Sequence, residues 1–150
     1  MSSDNQDQQL PDLKHGLGGM VAGDREKVAV GAVLLEMSGR DGDYAPEEVK
    51  KIFSMMCSAY SMSKEQVHGL LGIADKERVK KTMEDFISTI NSFYDNSQKV
   101  RILAMVWAVL FADQEFDRSE EKFAEQMKNR LRLSADEMVQ ARAMVSGGLI

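Results

Sequence analysis

Two short acidic stretches carry the chemistry that this chain could do: Asp41-Gly42-Asp43-Tyr44 with Glu48, and Asp113-Gln114-Glu115-Phe116 with Glu120. Both read Asp-x-acid-aromatic-x-x-x-Glu, and each directly follows an apolar run. Carboxylates crowded within a few residues repel one another unless a cation sits among them, and a ligand set made only of oxygen suits calcium, magnesium or manganese better than zinc or copper. The candidate ligands are Asp41, Asp43, Glu48, Asp113, Glu115 and Glu120, with Glu47 and Glu121 in reserve. An EF-hand is excluded by spacing, because that loop needs Gly at its sixth position and Glu at its twelfth. Counting from Asp41 gives Pro46 and Ile52, and from Asp113 gives Arg118 and Ala124. Helix-end chemistry is the competing reading. Asp-Gly favours a turn, Asp117 can cap, and Glu47, Glu48, Glu120 and Glu121 sit where a helix dipole favours negative charge. Capping does not require Asp41, Asp43, Asp113 and Glu115, which add charge at matching positions in both stretches.

Helices must position these turns. The run Val28, Val30, Val33, Leu34, Leu35 and Met37 predicts a helix from Asp24 to about Ser38, apolar almost all round. Pro46 suits a first helical position, and Val49, Ile52, Phe53, Met56 and Tyr60 then make a buried stripe. Ser63 with Gln66 forms a capping box for a short helix ending at Gly72. From Lys76 onward, Val79, Met83, Phe86, Ile87, Ile90, Phe93 and Tyr94 keep a helical period, which predicts one amphipathic helix broken by Asp95-Asn96-Ser97. Val100 to Phe111 is a second element apolar nearly all round. Asp117 with Glu120 and Ser134 with Glu137 are further capping boxes, the first opening a helix with Phe123, Met127 and Leu131 on one side. The expected fold is an all-α, compact bundle of about seven to eight helices, with two pseudo-repeated halves offset by about 72 residues. Residues 1–11 are expected to form a disordered tail and 12–150 one helical domain.

Composition narrows the function classes. A formal charge of −5 and a pI near 5.1, with no basic stripe, argue against nucleic acid and anionic membrane as partners. The longest apolar run, Ile102 to Ala112, is far short of the roughly 20 residues that span a bilayer. The N-terminus lacks the basic start and apolar core of a secretory signal. With a single cysteine, Cys57, this predicts a cytoplasmic protein, monomeric or weakly dimeric. Cys57 is expected to be a small buried hydrophobe and His68 a surface helix residue, neither a ligand. Most methionines fall on apolar helical positions, and a minority exposed as a docking face is an alternative route to protein partners. No phosphate loop, nucleophile elbow or zinc helix is present, so no catalytic residue and no organic cofactor is expected.

The order Leu34-Leu35-Glu36, Asp41-Gly42-Asp43, Pro46-Glu47-Glu48, then Val106-Trp107, Ala112-Asp113 and Glu120-Glu121 resembles the tellurite-resistance TerB-like family over roughly Asp24 to Val145. Gln114 and Ala45 depart from it, where Gly and a capping Ser, Thr or Asp are usual. The resemblance implies a compact all-helical domain of two pseudo-repeats whose shared acidic residues bind a metal ion, in a stress-response role. It does not imply redox chemistry on tellurite, for which one thiol and no redox cofactor motif are a poor electron source.

Overall fold

The computed structural model describes residues 24–38, 46–110 and 118–148 together with Ile150. These fold into seven helices: α1 Asp24–Ser38, α2 Pro46–Tyr60, α3 Lys64–Lys80, α4 Met83–Phe93, α5 Asn96–Leu110, α6 Arg118–Arg130 and α7 Ala135–Ser146. There is no strand among the described residues. The expected disordered tail over 1–11 lies outside them.

Helices α1 and α5 organise the rest. An element apolar on every side cannot face water and must be surrounded. In α1 the residues Val28 to Leu34 are buried without interruption, and in α5 every residue from Ile102 to Leu110 is buried. Accordingly α1 packs against α2, α3, α4 and α5, while α5 packs against α1, α2, α6 and α7. The remaining helices bury one side each. Arg78 of α3 fastens the outer edge of this packing, its Nε donating to Glu36 of α1 at 2.9 Å and its Nη1 to Asp75 at 2.9 Å. Lys51 of α2 donates to the Ile150 main-chain oxygen at 3.1 Å, which ties the chain's end to the first half.

The two halves begin their helices at the same separation: α1 at Asp24 and α5 at Asn96, α2 at Pro46 and α6 at Arg118. Each then turns through one residue in the left-handed region, Ser61 at φ 53° and Arg132 at φ 61°. A long-reach main-chain bond closes each corner, Met62 N to Cys57 O at 3.1 Å and Leu133 N to Lys128 O at 3.0 Å. Capping boxes follow at Ser63 with Gln66 and at Ser134 with Glu137.

One boundary differs from the sequence expectation. The predicted short helix does not stop at Gly72, and no single helix runs from Lys76 to Tyr94; α3 continues through Gly72 to Lys80 and the chain breaks at Lys81-Thr82. A glycine inside a helix costs only about 1 kcal/mol, and burial of Leu70, Leu71 and Ala74 around it outweighs that. The true start is a box that uses Asp instead of Glu or Gln. Thr82 N donates to Asp85 Oδ2 at 2.9 Å and Asp85 N to Thr82 Oγ1 at 3.2 Å. As a result Val79, expected in an apolar stripe, is 88% exposed, and Phe93 is 52% exposed.

The box also sets a pH dependence. Hydrogen bonds from the Thr82 main chain and hydroxyl hold the Asp85 carboxyl below its ordinary value, and bonds from Gln98 and Ser97 do the same for Asp95. A folded-state pKa below the unfolded one contributes stability that is present above the unfolded value, near 3.9, and lost as pH falls through the folded value. Asp85→Ala, which removes the carboxylate that accepts from Thr82 N, is therefore expected to lower the urea midpoint at neutral pH. The difference from the parent should shrink on acidification below about pH 4. A difference that stays constant down to pH 2 would contradict this account of the α4 start.

Candidate metal centre

In the sequence, the acidic stretches follow the two central helices. α1 ends at Ser38, ahead of Asp41 and Asp43, and α5 ends at Leu110, ahead of Asp113 and Glu115. These four carboxylates lie outside the described residues, as do the Asp117 cap and the side chain of Glu47. Glu48 and Glu120 are described. Each is the third residue of its helix, α2 or α6, and each is half-buried. Glu121, next to Glu120, is exposed. Since α2 packs on both α1 and α5, and α6 on α5, each glutamate rises from a helix held against the central pair. Among the described residues no three acidic, histidine or cysteine side chains converge on one point. The six-residue donor set is entirely oxygen, with no sulfur or imidazole, and its chemistry fits a hard cation.

The residues set aside as ligands are placed as follows. His68 is exposed on α3, its ring centroid 6.3 Å from that of Phe53 at a tilt of 50°. Cys57 is half-buried against the core, short of the full burial expected. No methionine among the described residues is fully exposed. Met37, Met55, Met56, Met105, Met127 and Met138 are buried on the inner sides of their helices, while Met62, in the connection between α2 and α3, and Met83 and Met144 are half-buried. Among the described residues the fully exposed large apolar side chains are Val79, Phe93 and Val139.

A polar cluster that the sequence gave no reason to single out lies where α1, α2 and the end of α4 meet. Burial pushes the Tyr60 phenol up to about 12, against the neighbouring Tyr94 hydroxyl and Arg101, which favour its charged form. Burial likewise raises Tyr94. Although the two phenols influence each other, Tyr94 Oη and Glu26 Oε1 are both buried without a hydrogen-bond partner of good geometry. Lys27 Nζ stands 5.9 Å from the Tyr60 ring centroid, which adds a cation–π contact at the edge of the cluster.

The described residues form an all-α domain in which two buried helices are each followed in the sequence by an acidic stretch. Residues 27–143 match the family described as Tellurite resistance protein TerB, and the chain belongs to that family. No curated protein and no solved structure matches it. No helix among the described residues is long and apolar enough to cross a membrane.

Proposed function

We propose that this chain is a non-enzymatic, cytoplasmic stress-response module that binds a divalent cation through its acidic turns and acts through protein partners. The duplicated Asp-x-acid-aromatic-x-x-x-Glu pattern carries the reading, since it adds charge at matching places where capping alone needs none. Membership of the TerB family supports the tellurite-resistance setting. When bound, a hard cation would neutralise the crowded carboxylates. Asp41, Asp43 and Glu48 would hold it in the first half, and Asp113, Glu115 and Glu120 in the second. A structural interaction domain without a metal is the second reading. It is favoured by the chain's habitual use of Ser63, Thr82 and Ser134 boxes to start helices.

Titration of the chelator-treated protein separates the two. Calcium, magnesium or manganese is expected to shift amide resonances over 41–48 and 113–121 and to leave His68 and Cys57 unmoved. Glu48→Gln and Glu120→Gln should each leave the apo urea midpoint level or higher, by relieving like-charge repulsion, while abolishing stabilisation by the ion. If these glutamates serve only the helix dipole, each substitution should instead cost about 0.3–1 kcal/mol. That loss, together with no response to any of the three ions at millimolar concentration, would overturn the metal reading.

A further inference from the structure

Outside the acidic turns, the structure has a cleft of about 310 Å³ between one side of α4 and the corner joining α6 to α7. Its α4 wall consists of Glu84, Ile87, Ser88, Asn91 and Ser92, which share one side of that helix by their spacing. Arg130 and Arg132 form the opposite wall. On a chain of formal charge −5, a cleft lined by two arginines against one glutamate, with two exposed serines, is a local reversal of sign.

Three further observations point the same way. The Arg132 backbone is pinned by Arg132 N donating to Asn129 O at 3.0 Å and by the buried neighbours Leu131 and Leu133. Its guanidinium nevertheless makes no ion pair among the described residues. The left-handed corner does not demand an arginine, since Ser61 occupies the corresponding place in the first half, and glycine or asparagine adopts that backbone at lower cost. Behind the α4 wall, Lys99 is only 5% exposed, and its ammonium donates to the neutral Asn91 Oδ1 at 3.2 Å. Asn91 in turn donates to Arg130 O at 3.0 Å, which fixes the cleft floor. Among the described residues no carboxylate compensates Lys99, although buried charges are ordinarily paired. The opposing charge is Glu84, whose Oε2 lies 3.4 Å from Arg130 Nη2 in an exposed, weak pair.

We propose that this cleft binds a phosphate dianion, either free or as the monoester of a small molecule. Arg130 and Arg132 supply the forked donors suited to phosphate oxygens and Ser88 and Ser92 the hydroxyl donors, with Lys99 behind Asn91. The site uses none of the candidate cation ligands and takes a ligand of opposite sign.

The test is an amide-resonance titration of the full chain with inorganic phosphate, with sodium chloride at matched ionic strength as control. Phosphate is expected to shift Ser88, Asn91, Ser92, Arg130 and Arg132, and chloride to leave them in place. Arg132→Gly removes the guanidinium while easing the corner's backbone, so its unfolding midpoint should be level or higher and its phosphate affinity lower by about tenfold or more. Glu84→Gln should tighten binding several-fold by removing the competing carboxylate. Glycerol phosphate distinguishes the source: tighter binding than inorganic phosphate indicates a monoester, equal binding the free ion, and either supports the site. Equal shifts from chloride, or unchanged phosphate affinity in a well-folded Arg132→Gly variant, would overturn it.

Discussion

Trp107→Ala is expected to lower the free energy of unfolding by about 3–5 kcal/mol, read as a fall in the urea midpoint. The indole is fully buried in α5, its Nε1 donates to Met138 Sδ of α7 at 3.3 Å, and the Arg142 guanidinium carbon lies 5.1 Å from its ring centroid. Truncation would leave a void between the two helices and strand both contacts. Since domains of this size are stable by about 5–15 kcal/mol, the variant should stand near the limit of folding. Trp107→Phe keeps most of the apolar volume and should cost clearly less. A loss below about 1 kcal/mol for Trp107→Ala would mean that the indole is not part of a packed core.

The second large effect is expected at Gly31, where α1 packs tightly on α3. A Cβ built there would lie 3.0 Å from Leu71 Cδ2, 3.4 Å from Leu70 Cδ2 and 3.5 Å from Ala74 Cβ. The nearest atom is the end of a flexible side chain, and alanine is the better helix former by about 0.8–1.0 kcal/mol. Gly31→Ala should therefore stay within about 1 kcal/mol of the parent. Gly31→Leu must place four carbons, three more than alanine, in filled space and is expected to cost about 1–3 kcal/mol or more, by prising α1 from α3. Equal midpoints for the two variants would contradict the close approach.

The central helices were legible in the sequence because their apolar character is local. Runs such as Val28–Leu34 and Ile102–Leu110 leave no polar side to expose, so their burial needs no tertiary information. The boxes at Ser63 and Ser134 were legible for the same reason. Thr82 was not, because Asp85 replaces the Glu or Gln that marks such a start, and because Val79 prolongs a helical period that packing does not use. In the candidate centre, the spacing and chemistry of six acids could be read, and the structure adds the half-buried placement of Glu48 and Glu120 on helices held by the central pair. The phosphate cleft could not be read at all. Ser88 and Ser92 are ordinary surface residues until α4 meets the α6–α7 corner, and Arg132 gains meaning only from a left-handed backbone that no residue type there announces.

The burial of six of the methionines makes their resistance to oxidants a property of the protein's motions. An oxidant reaches a thioether only where solvent does, so Met37, Met55, Met56, Met105, Met127 and Met138 react at the pace at which their helices open. Sulfoxide formation turns an apolar, pliable side chain into a polar one that the closed core cannot readmit without cost. For Met138 the change would fall on the sulfur that accepts the Trp107 indole N–H, the junction of α5 and α7. A brief opening under oxidising conditions would thus be recorded covalently and would favour the next one, so that damage to this core is self-promoting once begun.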